Sequence, residues 1–248
     1  MIRKEKQETA DIIFGVHPVV ELLKARRRKL VTIYTTKPTP KSWAEISALL
    51  PAYVSVRHVT RDALTNLAGT PDHQGVVAYV QPFQFRKEFF NVERERFLIM
   101  LDSVQDVRNA GAIIRSAYCV GVQGVILVSK HAAPLSGAAF KASAGLAEHI
   151  SIFVAHSPSA AVTALKKAGY SIYLAALGGK SVLETEFAQP LCLVIGNEAT
   201  GVSKEISNAG VRVMLPQRNA EISYNASAAA SILMFFVGVG IGQIGKDY

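Results

Sequence analysis

Two apolar runs near the C-terminus each end abruptly in a polar turn, and this pattern constrains the fold more than any other feature of the chain. The first run is Leu191–Ile195, and the turn that follows it is Gly196–Gly201. The second run is Val211–Pro216, and the polar stretch Ser223–Asn225 comes soon after it. A short continuous apolar run is typical of a strand that is buried on both faces. We therefore predict two strands of a parallel sheet, each ending at a turn.

The two turns are the places where a ligand is expected. Ligands of open parallel α/β sheets bind in the crevice beyond the carboxyl ends of the strands. Gly196 and Gly201 allow left-handed backbone and leave no Cβ between the backbone and a bound molecule. Glu198 lies between these glycines, and its carboxylate would repel a phosphate. The sequence therefore favours a neutral or cationic ligand.

The overall charge indicates a partner that carries phosphates. Lys and Arg total 27 against 19 Asp and Glu, which gives a net charge of +8. Such an excess favours a nucleic acid as the partner, although ordinary solubility charge is the alternative. The six histidines show no zinc-ligand spacing, so no metal is predicted. Cys119 and Cys192 lie in apolar runs and are predicted to be reduced core residues. The polar N-terminus lacks the apolar core of a signal peptide, which predicts a cytoplasmic protein.

Residues 1–82 are predicted to form a small α/β domain. Apolar runs at 12–14, 31–34, 53–56 and 76–80 are expected to be strands, and helices are expected at 18–25, 43–50 and 60–67, the last capped by Thr60. The basic cluster Lys24–Lys29 follows the first helix. It is interpreted either as cations at a helix C-terminus or as a contact with an RNA backbone.

A charged segment at 83–95 lacks apolar periodicity and is predicted to be a linker, in which Phe89 and Phe90 could dock on either domain. In residues 96–248 strands alternate with helices, which predicts an α/β domain with a mainly parallel sheet. The run Ala226–Gln243 carries no charge. It is interpreted as a buried or subunit-interface helix rather than as a membrane span, because it contains many small residues.

Several ordered blocks resemble the SpoU/TrmH family of RNA ribose 2'-O-methyltransferases, in the SPOUT superfamily. The first block runs from Leu101 to Ser116, the second from Gly196 to Gly201, and the third from Leu215 to Ser227. Residues 141–148 resemble a further block of the rRNA-modifying members. The first domain is similar to the small RNA-recognition domain of such members, through Gly15-Val16-His17-Pro18 and residues 73–78.

The resemblance implies a SPOUT domain with a C-terminal trefoil knot. It also implies a homodimer formed through the C-terminal domain, with S-adenosylmethionine bound at the two turns. The sulfonium of S-adenosylmethionine is a cation, which agrees with the neutral or cationic ligand expected beside Glu198. The residues implied in cofactor binding are Gly196, Asn197, Gly201, Leu215 and Tyr224.

The residues that the resemblance implies in catalysis are Arg115, Asn109, Glu198, Ser223 and Asn225. A guanidinium stays protonated at neutral pH. We therefore expect Arg115 to clamp a phosphate bidentately and to stabilise developing alkoxide charge, rather than to act as a base. Asn109 and Glu198 are expected to orient that arginine and the substrate. Ser223 and Asn225 are expected to position the hydroxyl and the backbone around the methionine end of the cofactor.

The third block departs from the family pattern. Gln217-Arg218-Asn219 stands where Met and Gly are usual, and Tyr224 stands where leucine is common. The expected activity is methylation of a ribose 2'-hydroxyl in 23S ribosomal RNA. The alternatives are a tRNA 2'-O-methyltransferase and a non-catalytic RNA-binding member with an altered cofactor pocket.

Overall fold

The computed structural model describes residues 10–129, 133–218 and 223–245. In chain order its strands and helices are β1 (Asp11–Phe14), α1 (Val16–Ala25), β2 (Leu30–Thr35), α2 (Trp43–Leu49), β3 (Ser55–His58), α3 (Arg61–Ala68), β4 (Val76–Val80), β5 (Phe97–Leu101), α4 (Val107–Cys119), β6 (Gly124–Val128), α5 (Gly137–Ala142), β7 (Ser151–Ala155), α6 (Pro158–Ala168), β8 (Ser171–Ser181), β9 (Leu191–Ile195), β10 (Val211–Met214) and α7 (Ala226–Gly240).

The described residues divide into two compact units, which makes the molecule a two-part α/β protein. The first unit contains the residues up to 84 together with 134–149, and the second contains the remainder. The segment 134–149, which the sequence placed in the C-terminal domain, groups with the first unit because α5 packs on β1. The boundaries at residues 82 and 95 stay predictions.

The first unit is built on a mixed four-stranded sheet in the order β1-β4-β2-β3. Strand β4 is antiparallel to β1 and β2, whereas β2 and β3 are parallel. Thr60 caps α3 as expected, since its hydroxyl accepts a hydrogen bond from the amide of Ala63 at 3.2 Å. The strand expected at 53–56 begins only at Ser55. The preceding residues form a turn closed by the Val54 amide and the Pro51 carbonyl at 3.0 Å.

Arg28 in the basic cluster has neither of the two roles expected for that cluster. Its side chain is buried, and Nη1 donates to Asp11 Oδ2 at 2.6 Å. Nε donates to both carboxylate oxygens of Glu148 at 3.1 Å. The guanidinium carbon also lies 4.6 Å from the ring centroid of Phe140. The expectation was wrong for this residue because a carboxylate 120 positions away draws the arginine inward.

The second unit contains a six-stranded sheet in the order β10-β8-β9-β5-β6-β7, and every pairing in it is parallel. The prediction of a parallel sheet is therefore confirmed. Strands β5 and β9 lie at the centre and are buried along their whole length. Phe90, from the predicted linker, is buried in the core of this unit. Phe89 packs against the same core.

Three expectations for the second unit need correction. Strand β10 is not buried on both faces, because it is an edge strand and Val211 is exposed. The apolar run Ile172–Ala175 indicates a strand that ends at 175, whereas β8 extends to Ser181. Cys119 is exposed rather than a core residue, since it ends α4, whereas Cys192 is buried. Over the described ranges, no helix has the length and apolar character that crossing a membrane requires.

Candidate active site

A cavity of about 690 Å³ lies in the second unit, where β9 and β10 end and α7 begins. Its volume falls in the range of small-molecule sites. Of the ten residues that the sequence predicted for the site, eight line this cavity: Gly196, Asn197, Glu198, Gly201, Leu215, Ser223, Tyr224 and Asn225. The turns after β9 and β10 therefore meet at one place, as the parallel sheet requires.

The turn after β9 is closed on itself by backbone hydrogen bonds. The amides of Asn197 and Gly201 each donate to the carbonyl of the other residue at 2.9 Å. Asn197 Oδ1 also accepts from the amide of Ala199 at 2.9 Å. A Cβ at position 196 would lie 2.2 Å from the carbonyl carbon of Gly201, so only glycine fits there. Gly201 has a φ of +70°, in the left-handed region that glycine adopts without strain.

Asp102 anchors this turn and was not predicted as a site residue. It follows β5, and its side chain is completely buried. Its carboxylate accepts from the Ser203 amide at 2.6 Å and from the Ser203 hydroxyl at 2.7 Å. The available signal was a single acidic residue directly after an apolar strand, at the sheet edge where the ligand was expected.

A chain of side-chain hydrogen bonds joins the three family blocks at the cavity. Asn109 of α4 donates through Nδ2 to Glu198 Oε1 at 2.9 Å. Asn225 donates through Nδ2 to Asn109 Oδ1 at 3.3 Å. The amide oxygen of Asn225 is the N-cap of α7 and accepts from the Ser227 amide at 2.9 Å. Asn225 therefore has a structural role in capping α7 as well as a place in the site.

Arg115 lies on the same helix as Asn109 but does not line the cavity. Its side chain is exposed. It lies six positions after Asn109, which corresponds to about 9 Å along the axis of an α-helix. Within a single chain, the structure thus brings together nine of the ten predicted residues and leaves Arg115 outside the cavity wall.

Residues of the third block form part of the wall of the same cavity. Gln217 and Tyr224, two of the departures from the family pattern, line the cavity. Tyr224 keeps 46% of its surface exposed. Asn219, a further departure, lies outside the described residues.

The cavity wall suits a ligand that is partly apolar and partly cationic. Small apolar side chains line much of it, among them Ala175, Ala176, Ala229 and Ala230. The charged groups among the described lining residues are Glu198 and Arg212, and Arg212 donates through Nη2 to the carbonyl of Leu177 at 2.8 Å. Nucleoside rings fit the apolar wall, and a sulfonium is tolerated beside the Glu198 carboxylate. The described residues contain no cluster of His, Cys, Asp or Glu that could hold a metal ion.

This fold and this site define an α/β enzyme with a cofactor pocket at the carboxyl edge of a parallel sheet. Residues 96–235 match the SpoU rRNA Methylase family, and residues 12–86 match the RNA 2'-O ribose methyltransferase substrate-binding family. The chain belongs to the SpoU family of RNA 2'-O-ribose methyltransferases, whose methyl donor is S-adenosylmethionine.

Similar proteins cover nearly the whole chain. The 23S rRNA (guanosine-2'-O-)-methyltransferase RlmB of Acinetobacter baylyi is 30% identical over 90% of this chain and 94% of its own length. YacO of Bacillus subtilis, assigned to the TrmH family of tRNA/rRNA methyltransferases, is 29% identical over 92% and 94%. The crystal structure of the SpoU methyltransferase AviRb from Streptomyces viridochromogenes has a TM-score of 0.79 at 23% identity, over 96% and 92% of the two chains.

Proposed function

We propose that this chain methylates a ribose 2'-hydroxyl in 23S ribosomal RNA, with S-adenosylmethionine bound in the cavity between the turns after β9 and β10. The observation that carries the proposal is the hydrogen-bonded chain Asn225–Asn109–Glu198 at the wall of that cavity. The 23S target is supported by the similarity to RlmB of Acinetobacter baylyi, at 30% identity.

The reaction forms a bond between the ribose 2'-oxygen and the methyl carbon and breaks the bond between that carbon and sulfur. S-adenosylmethionine supplies the methyl group and accepts the electron pair at sulfur, and the hydroxyl proton passes to solvent. Glu198, which accepts a hydrogen bond from Asn109 at 2.9 Å, would balance the positive charge of the bound donor and orient the substrate. Ser223 and Asn225 position the hydroxyl in line with the methyl group. A guanidinium stabilises charge that develops on the attacking oxygen.

We propose that Arg115 supplies this guanidinium to the cavity of a second copy of the chain. Two observations support this arrangement. Arg115 is exposed and lies outside the cavity wall of its own chain. Helix α7 exposes Phe235 and Val239, at 50% and 48%, one turn apart. Apolar side chains at this spacing form a face suited to packing against another helix.

Subunit mixing tests this arrangement. At S-adenosylmethionine concentrations that limit the wild-type rate, the Arg115→Ala and Gly196→Ala homodimers are each expected to be strongly impaired, while the mixed dimer, obtained by co-expression with two affinity tags, regains activity. In that dimer one site combines an intact cavity with an intact Arg115 from the other copy. A mixed dimer without activity would show that both residues act in the same chain.

The role of Arg115 in the reaction is tested by its single variant. Arg115→Ala is expected to lower the rate of transfer of labelled methyl groups to rRNA by roughly 100- to 1000-fold, as for loss of one charge-stabilising donor. The affinity for S-adenosylhomocysteine is expected to change little. Arg94→Ala removes the same charge from an exposed position of the same unit and is the matched control. Unchanged turnover in Arg115→Ala would remove Arg115 from the mechanism.

Two other functions are alternatives to methylation of 23S ribosomal RNA. A tRNA substrate is favoured by the similarity to YacO, assigned to the tRNA/rRNA methyltransferases. Mapping of 2'-O-methylation across rRNA and tRNA, in cells with and without the gene, separates the two substrates.

A non-catalytic RNA-binding role is favoured by the altered residues Gln217 and Tyr224 in the cavity wall. It predicts no heat signal on titration with S-adenosylhomocysteine.

We also propose a trefoil knot in the second unit and a cytoplasmic location. The knot is supported by the chain order, in which β10 lies outside β8 and α7 then returns to pack against α4. The location is supported by both cysteines being free thiols, as is usual in a reducing compartment.

A further inference from the structure

A second cavity, of about 420 Å³, lies at one end of the sheet in the first unit. Its wall contains the residues just before β2, the turn before β3 and the residues just after β4. The side chains that matter here are Lys29, Val31, Tyr53 and Pro82. The cavity belongs to the unit that contains none of the methyltransferase site residues.

Tyr53 is presented at this cavity by a rigid turn. It lies in the turn closed by the Val54 amide and the Pro51 carbonyl, and 60% of its surface is exposed. The ammonium of Lys29 lies 5.1 Å from the centroid of the Tyr53 ring, within the range of a cation–π contact. The backbone of Lys29 is fixed by the Gln81 amide, which donates to its carbonyl at 2.9 Å. An exposed aromatic ring and a cation thus lie side by side at this cavity.

Lys29 brings one positive charge of the basic cluster to this cavity. Arg28 points inward and is neutralised by Asp11 and Glu148. Arg26, Arg27 and Lys29 are exposed, and they lie within three residues of one another along the chain. A cavity wall that combines an exposed aromatic ring, a valine and the cation of Lys29 has the composition of a site for single-stranded nucleic acid, in which bases stack on rings and cations follow the backbone.

We propose that this cavity binds one unpaired base of the RNA substrate, with Tyr53 stacking on the base and Lys29 contacting an adjacent phosphate. This proposal rests on the RNA methyltransferase function proposed above and names the structural class of its substrate, a single-stranded or looped region. Such regions expose base faces, whereas an RNA duplex does not. A base-stacking site in the first unit would select the loop whose ribose is methylated.

Fluorescence anisotropy of the full-length protein with labelled decauridine and with a ten-base-pair RNA duplex tests the site. Tyr53→Ala is expected to weaken decauridine binding roughly 5- to 150-fold, the range for loss of one stacked base, and to leave duplex binding unchanged. Tyr53→Phe keeps the ring and is expected to bind like the wild type. Equal loss for both RNAs, or equal loss in both tyrosine variants, would overturn the stacking role.

The charge contact has its own matched control. Lys29→Gln is expected to reduce the slope of log affinity against log salt by about 1, as for one lost phosphate contact. Lys41→Gln changes an exposed lysine that follows the opposite end of β2 and is expected to leave the slope unchanged. The same slope in Lys29→Gln and the wild type would contradict the phosphate contact.

Failure of this site and failure of the methyltransferase function are distinguishable. Tyr53→Ala is expected to raise the KM for rRNA while kcat and the affinity for S-adenosylhomocysteine stay unchanged. Wild-type protein that binds decauridine but transfers no methyl group would refute the proposed function and leave the stacking site intact. Wild-type protein that methylates rRNA with a KM unaffected by Tyr53→Ala would refute the stacking site alone.

Discussion

The closed turn after β9 allows a sharp test of the cofactor site through Gly196→Ala. The added Cβ would lie 2.2 Å from the Gly201 carbonyl carbon and 2.3 Å from the Val202 nitrogen. Favourable contacts between carbon atoms lie near 3.5 Å, so the turn must open by roughly 1 Å. Because all these neighbours are backbone atoms, no side-chain rotation can relieve the overlap. The two hydrogen bonds between Asn197 and Gly201 would then be broken or lengthened.

The expected loss of cofactor affinity in Gly196→Ala follows from the energetic cost of overpacking. Forcing an extra methyl group into a filled space typically costs about 1–3 kcal/mol. If that cost falls on the cofactor turn, the Kd for S-adenosylhomocysteine rises roughly 5- to 150-fold. Isothermal titration calorimetry measures this change, and circular dichroism checks that the variant is folded.

A matched control for this variant lies in α7. A Cβ at Gly240 would meet its nearest neighbour, Phe187 Cδ2, at 3.5 Å, which is an ordinary contact. Gly240→Ala is therefore expected to keep the wild-type Kd. A folded Gly196→Ala protein with wild-type affinity would refute the placement of the cofactor at this turn.

Two further predictions concern the first unit. Glu148→Ala leaves the buried Arg28 with Asp11 as its carboxylate partner, so the free energy of unfolding in urea is expected to fall by about 3 kcal/mol, the lower end for a broken buried pair. The double variant Glu148→Ala/Arg28→Met is expected to recover most of this stability. A Glu148→Ala variant as stable as the wild type would contradict the prediction. Burial, with a smaller effect from Arg61, lowers the pKa of His73 below its usual 6.5, and its Nδ1 accepts from the Gly75 amide at 3.0 Å. In acid, His73 therefore binds a proton more readily in the unfolded chain than in the folded chain. The free energy of unfolding is expected to fall as the pH drops below about 6.5. His73→Gln is expected to reduce the change of the unfolding free energy with pH. An equal slope of unfolding free energy against pH in the variant and the wild type would refute this role of His73.

The local sequence determined the strands and the site turns. Residues 76–80 and 191–195 were recognisable as strands because each run is apolar and has the length of a strand. The polar residues that follow the central strands meet at one edge, since parallel strands all end on the same side of their sheet. Nine of the ten site residues that the family resemblance implied therefore lie together at this edge.

Contacts between distant residues were decided only by the tertiary structure. Nothing near Arg28 in the sequence shows that Glu148 will neutralise it. Likewise, nothing near Asp102 shows that its carboxylate will accept a hydrogen bond from the amide of Ser203. The exposure of β10 depends on its place at the edge of the sheet, which its own residues do not encode. Apolar periodicity is a property of neighbouring residues and follows from backbone geometry, whereas ion pairs, strand order and exposure depend on which parts of the chain meet after folding.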